Sequence, residues 1–457
     1  MTDWLYDRIE SFSERPFLSL DTESYTYQDL ARALGDARRH LESSGIRAGD
    51  TVLLSGDYTL EGIAALLALF QIKAMVAPVA IEAENEQQQR ITAARVQWRV
   101  DSNTELSTQR IPPDQVEPAH ALVQQLKSDG EAGLILFSSG STGTPKAMIH
   151  SAERLLAGFE KKRPKQLSIL IFLLFDHIGG LNTLFNGLAT GAHLVVPKNR
   201  DPESVASAIE KHGVKLLPAS PTFLNLFLIS GVLNRYQLSS LRYITYGTEP
   251  MPESLLLRIK EHFPKAILIQ TFGTSETGIS QTTSRSSTST LIKFDDPDTE
   301  YRIVEGELWL RSKSQILGYL NHEMSRFTED GWFKTGDLLE PASDADGDGY
   351  YRIVGRTQEI INVGGEKVTP SEVESTLLEM AEIADCLVYG ESNALTGQIV
   401  AAEIVLQAGL DPKPMKRAIK NHCRAQLAPY KVPARIQFKD ATNFSNRFKK
   451  MRMKEQQ

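Results

Sequence analysis

Short apolar runs alternate with helix-length stretches along most of this chain, and that alternation restricts it to few folds. Asp50-Thr-Val-Leu-Leu-Ser55 reads as a buried strand, Gly62–Gln71 as a helix and Ala74-Met-Val-Ala-Pro-Val79 as the next strand. Upstream, Thr26 and Asp29 form a capping box for a helix through Leu41. The rhythm resumes at Gly133–Phe137 and continues through Ser168–Phe175, His193–Pro197, Val214–Pro218 and Leu241–Tyr246. Strand–helix–strand repetition of this kind predicts a mostly parallel sheet. Residues 81–129 are polar and carry no clear assignment. From Ser284 to Asp337, alternating runs such as Glu305–Arg311 predict antiparallel strands, and a last strand–helix section spans Val354 to Asp440. The expected class is α/β. A large N-terminal domain, residues 1–356, combines mostly parallel sheets, helices and a β-rich subdomain. A small α+β C-terminal domain covers 357–457. The length, 457 residues, is too great for one compact core and agrees with this division.

Composition excludes several classes. With 41% hydrophobic residues, 23% charged residues and a net charge of −7, the chain reads as a globular protein and not as a dedicated nucleic-acid binder. Basic residues cluster in the tail, with Arg447, Lys449, Lys450, Arg452 and Lys454. The two cysteines, Cys386 and Cys423, are too few for a metal spacing or a disulfide framework. They point to a reducing compartment. The first ten residues lack the basic-then-apolar pattern of a signal peptide. The longest apolar run, Ile169–Phe175, is too short to span a bilayer and reads as a buried strand. The expectation is a cytoplasmic enzyme without a membrane span.

The chemistry concentrates in Phe137-Ser-Ser-Gly-Ser-Thr-Gly-Thr-Pro-Lys-Ala147, where a buried strand enters a run of hydroxyls and glycines that ends in a lysine. Backbone N–H groups at Gly140 and Gly143, the hydroxyls of Ser138, Ser139, Ser141 and Thr142, and the charge of Lys146 suit a polyphosphate. Pro145 and the lack of a following helix separate it from a Walker A loop. Asp344, Asp346, Asp348 and Gly349 imitate the start of a calcium loop, but Gly355 stands where the bidentate Glu is needed, so a hairpin turn is expected.

The hydroxyl-rich loop resembles the phosphate loop of the adenylate-forming superfamily, whose members include acyl- and aryl-CoA synthetases. Ala147 replaces the usual glycine. Further segments resemble family motifs in the same order: Tyr246-Gly-Thr-Glu-Pro-Met251, Phe272-Gly-Thr-Ser-Glu276, Trp332-Phe-Lys-Thr-Gly-Asp337 and Gly355-Arg356. The resemblance implies an adenine pocket around Gly247, Thr248, Glu249 and Phe272. It also implies phosphate contact at Ser275, Mg²⁺ on Glu276, ribose on Asp337, and Arg356 near ribose or phosphate, with Arg352 a weaker candidate there. The ending Phe448-Lys-Lys-Met-Arg452 resembles the family's Gly-Lys-x-x-Arg, which makes Lys449 the catalytic lysine and Lys450 the fallback.

By the same resemblance the acid site adjoins Asp176, His177, Gly180, Tyr246, Gly273 and Ile279. His177-Ile-Gly-Gly180 is similar to fatty- and aryl-acid ligases. Phe175-Asp176 is similar to amino-acid adenylation domains, where the Asp anchors an ammonium. Both alignments stay open. If Asp176 points into an apolar pocket, a cationic partner is expected. The C-terminal domain would be mobile, hinged at Gln358, and would bring Gly364 and Gly365 to a pantetheine tunnel. The expected cofactors are ATP, Mg²⁺ and, as acceptor, CoA or the phosphopantetheine of an acyl carrier protein. The expected reaction converts a carboxylic acid, fatty or aryl, into acyl-AMP and pyrophosphate and then transfers the acyl group to the thiol. The alternatives are an amino-acid adenylating enzyme and a non-catalytic nucleotide-binding homologue.

Overall fold

In the computed structural model, residues 3–80, 84–138, 144–342, 349–442, 444 and 450–452 are described. Two seven-stranded sheets carry the first part of the chain. In one, Gly133–Ser138, Met75–Val79, Thr51–Ser55 and Trp98–Asp101 run parallel, flanked by antiparallel strands that include Lys146–Ser151. In the other, Ile267–Gln270, Tyr243–Tyr246, Leu216–Ala219, Ser168–Leu170 and His193–Val195 run parallel. Period-two alternation decides which residues meet which neighbour. Val52 and Leu54 pack into one apolar cluster, shared with Ile169 and Leu194 of the second sheet, while Leu53 packs into another. The helix Leu60–Gln71 belongs to the shared cluster and is buried nearly all round, as a helix between two layers must be.

The helix Tyr27–Ser44 begins at Thr26, whose side chain accepts from Asp29 N while the Asp29 carboxylate accepts from Thr26 N, so both halves of the capping box are present. The polar stretch forms the helices Glu84–Ala94 and Ala121–Asp129 and the strands Trp98–Asp101 and Ser107–Arg110. The apolar run Ile169–Phe175 is a correction. Only Ser168–Leu170 is strand; residues 171–175 leave the sheet yet stay mostly buried, and the helix Ile178–Thr190 follows. Burial alone cannot tell a strand from a covered loop.

A six-stranded antiparallel sheet follows, ending in Phe333–Pro341 and Tyr351–Arg356. The turn Thr357–Glu359 then leads to a five-stranded sheet of Ile361–Val363, Glu366–Val368, Ile383–Asn393, Gly397–Leu406 and Arg435–Phe438, packed with the helices Pro370–Leu377 and Pro412–Gln426 around its own core. Cys386 and Cys423 are free and buried there. The aspartates at 344, 346 and 348 lie outside the described residues. Among the described residues, no helix is long and apolar enough to cross a membrane.

Candidate active site

The parallel strands Leu216–Ala219, Tyr243–Tyr246 and Ile267–Gln270 end side by side, and the residues just beyond them line one cavity of about 560 Å³. Ligands in open α/β sheets collect at such carboxyl ends. Ala219, Gly247 and Thr271 form this wall. Ser138 and Lys146 close another side, paired in register where the strand Gly133–Ser138 meets Lys146–Ser151. Ser139, Gly140, Ser141, Thr142 and Gly143, between these strands, lie outside the described residues. Lys146 Nζ sits 2.8 Å from His322 Nε2.

Opposite, the hairpin Phe272–Thr274/Gly278–Ser280 presents Gly273, Ser275, Glu276 and Ile279 to the cavity. Tyr319 donates its hydroxyl to Glu276 Oε1 at 3.0 Å. Burial first, and then the Glu276 charge, raise the Tyr319 pKa, so the phenol keeps its proton. Among the described residues no group of three or more His, Cys, Asp or Glu could cage a metal. Of the two carboxylates that line the cavity, Glu359 pairs with Arg452, which leaves Glu276 to fit Mg²⁺ that would share its coordination with substrate phosphates and water.

A smaller pocket of about 80 Å³ adjoins the first and is lined by Gly247, Thr248, Glu249, Phe272, Asp337 and Arg356. Thr248 holds φ at +75°, a left-handed conformation that costs a non-glycine residue energy and clusters at functional sites. A Cβ on Gly247 would come within 2.6 Å of Thr271 O, so this turn requires glycine. Phe272 packs edge-on to Phe294, with ring centroids 5.6 Å apart. Arg356 Nε donates to Asp337 Oδ1 at 3.0 Å, and Asp337 raises the Arg356 pKa further. Glu249 accepts from Thr222 N at 2.7 Å, and burial pushes its pKa up.

His177 and Gln358 also line the large cavity. His177 caps the helix Ile178–Thr190, its Nδ1 accepting from Gly179 N at 3.0 Å. Leu173, Ile178, Ala219 and Ile279 supply apolar lining to the cavity.

Several expected site residues stand elsewhere. Asp176 does not line the cavity: its carboxylate meets Arg90 Nη1 at 3.2 Å, and both side chains are largely buried. The cation that a buried carboxylate requires comes from the protein itself. Gly180 is a packing glycine, where a Cβ would fall 2.3 Å from the Tyr58 hydroxyl and 2.4 Å from Leu174 O; Gly179 faces the cavity in its place. The Tyr246 ring is buried in the apolar cluster behind the sheet. Arg352 is half-exposed, 3.9 Å from Glu253, and lines neither pocket. Gly364 and Gly365 form an exposed left-handed turn between two C-terminal strands, and line neither pocket.

Lys449 lies outside the described residues. Lys450 is described, and its buried ammonium donates to Cys386 O at 2.6 Å and sits 3.6 Å from both Glu374 and Asp385. Arg452 donates to Glu359 at 3.0 Å and to Glu374 at 2.8 Å. Sequence reasoning missed Arg90, Tyr319 and the acids around Lys450, because each acts on a partner remote in sequence.

A family model described as AMP-binding enzyme matches residues 5–320, and one described as AMP-binding enzyme C-terminal domain matches 372–447. The chain belongs to the AMP-binding, adenylate-forming family. It is 30% identical to 4-coumarate--CoA ligase-like 2 of Arabidopsis thaliana over 351 residues, which cover 71% of this chain and 61% of the relative. It thus spans under two thirds of the length of that plant relative. It is 25% identical to a 2-succinylbenzoate--CoA ligase of Bacillus cereus, covering 96% of this chain and 94% of the relative. Among solved structures, an anthranilate CoA ligase in complex with anthranoyl-AMP superposes with a TM-score of 0.82 at 20% identity, covering 96% of this chain and 94% of the other. An amide bond synthetase from Marinactinospora thermotolerans gives 0.79 at 23% identity, covering 96% of each chain. These two likenesses concern the fold.

Proposed function

We propose that this chain activates a carboxylic acid with ATP, forming acyl-AMP and releasing pyrophosphate, and then transfers the acyl group to the thiol of CoA. The observation that carries this reading is one cavity lined by two kinds of residue. Lys146, Arg356, Glu276 and Ser275 are among its polar lining residues, and Leu173, Ile178, Ala219 and Ile279 among its apolar ones. The first suits a polyphosphate, the second the hydrocarbon of a fatty or aryl acid. The relatives named CoA ligases support the same reaction class.

In the first step a carboxylate oxygen bonds to the α-phosphorus while the bond from that phosphorus to the bridging oxygen breaks, and pyrophosphate departs. Two anions must meet, so positioning and charge neutralisation dominate. Lys146 offsets charge at the phosphates, Asp337 accepts from the ribose hydroxyls, and Phe272 covers the adenine. Mg²⁺ held by Glu276 would supply further positive charge against the phosphates. We assign the catalytic ammonium to Lys449, since that of Lys450 is engaged in buried ion pairs. In the second step the thiol sulfur bonds to the acyl carbon, the thiol proton passes to solvent, and AMP leaves with the anhydride oxygen. We assign residues 1–356 and 357–457 to two domains that turn about Gln358 between the steps, which would bring Gly364 and Gly365 beside the pantetheine arm. Pairing of Asp176 with Arg90 weighs against the amino-acid reading.

ATP–pyrophosphate exchange over a panel of fatty, aryl and amino acids, without thiol, tests this. Exchange with fatty or aryl acids is expected; exchange with amino acids alone would favour the amino-acid reading. ATP binding without exchange on any acid would favour a non-catalytic homologue. Adding CoA or a phosphopantetheinylated carrier protein then identifies the acceptor.

A further inference from the structure

His150 lies on the strand Lys146–Ser151, four residues beyond Lys146, and is fully buried. Alternation along a strand places positions 146, 148 and 150 on one face. Among the described residues its ring nitrogens face backbone carbonyls: Nε2 is 2.8 Å from Ser275 O, and Nδ1 is 3.0 Å from Ser314 O. Ser275 immediately precedes Glu276. Ser314 belongs to the turn that holds the following residues, its hydroxyl donating to Thr277 O at 3.1 Å, and Ile316 N donates to Glu276 O at 2.8 Å. Burial lowers the His150 pKa, so the ring is neutral and donates from one nitrogen only; protonated at Nε2, it donates to Ser275 O and joins the strand that carries Lys146 to the loop that carries Glu276. An apolar side chain here would pack, but would remove the N–H that meets the part-buried Ser275 O. A buried imidazole costs more than leucine unless its hydrogen bonds are used.

We propose that His150 is a positioning residue for the Mg²⁺–ATP site, tying the Ser275–Glu276 peptide to the phosphate-binding strand so that the Glu276 carboxylate meets the metal in one fixed geometry. The inference rests on the proposed role of Glu276. Groups that orient a metal ligand usually matter about 10- to 100-fold in metal affinity when removed.

The test is calorimetric titration of ATP into the whole protein, with and without Mg²⁺, for the wild type and for His150→Leu and His150→Gln. His150→Leu should bind ATP about tenfold more weakly in Mg²⁺ and unchanged without it. His150→Gln, whose amide N–H replaces one ring donor, should stay within about threefold of wild type. If His150→Leu does not fold, His150→Asn carries the test, its side chain being shorter than that of histidine. Equal binding by the folded variant and wild type in Mg²⁺ overturns the inference, as does an equal loss with and without Mg²⁺. Wild-type binding indifferent to Mg²⁺ overturns the metal role of Glu276, and the inference with it.

Discussion

Arg356 donates from Nε to Asp337 Oδ1 at 3.0 Å, across two antiparallel strands that pair these residues in register. The ion pair stands where the six-stranded sheet gives way to the turn Thr357–Glu359, and both side chains border the smaller pocket. One contact therefore joins the proposed ribose site to the point where the two proposed domains meet.

Asp337→Ala should remove both the ribose acceptor and the partner of Arg356. Hydrogen bonds to charged groups contribute about 1.5–3 kcal/mol. At about 1.4 kcal/mol per tenfold, kcat/KM for ATP in pyrophosphate exchange should fall about 10- to 100-fold. An unchanged value would exclude Asp337 from nucleotide binding.

Asp176 and Arg90 form a buried pair, so deleting either partner strands the other. Asp176→Ala should destabilise the fold by about 3–5 kcal/mol, measured by urea unfolding. The Arg90→Ala, Asp176→Ala double variant should lose less than the sum of the two single variants. Exchange should fall alike for all acids accepted. A selective loss of amino-acid exchange would restore Asp176 as an ammonium anchor.

Neighbouring lysines in the tail should separate by phenotype. Lys450→Ala leaves Glu374 and Asp385 short of a buried cation and should cost about 3–5 kcal/mol of stability. Lys449→Ala should leave the urea midpoint unchanged and slow pyrophosphate exchange, because Lys449 is assigned to the chemistry. If Lys449→Ala exchanges at the wild-type rate, that assignment fails.

Burial raises the pKa of Glu374, but Arg452 and Lys450 more than reverse the effect, so it lies below its ordinary value of 4.5. The stability this ionised group contributes is present above the unfolded pKa and is lost as pH falls through the folded one. Glu374→Gln, which mimics the protonated acid, should be less stable than wild type at pH 7. That difference in urea midpoint should shrink as pH drops below 4.5. A difference that does not change with pH would mean that Glu374 acts through packing alone.

Local patterns in the sequence were sufficient for much of the architecture. The Thr26–Asp29 cap, the parallel strands and the antiparallel run near Glu305 are each governed by residues close in sequence, through capping, period-two burial and turn chemistry. Of the cavity-lining residues, Lys146 was legible from the chemistry of its own hydroxyl- and glycine-rich loop, whereas Ser275, Glu276 and His177, and Phe272 and Asp337 of the smaller pocket, were picked out by the resemblance of their short motifs to the adenylate-forming family.

Tertiary structure decided the rest. Asp176 could be read as a substrate anchor until Arg90, 86 residues away, proved to face it. Tyr246 and Gly180 stood within site motifs, yet one fills the core and the other admits the Tyr58 hydroxyl. Lys450 stood as the fallback for the catalytic lysine, and only the folded structure puts Glu374 and Asp385 around it. Hydrogen bonding and burial act over a few ångströms of space regardless of separation along the chain. The pattern around a residue determines its local conformation, but only the folded neighbours determine whether its charge faces a substrate or a partner.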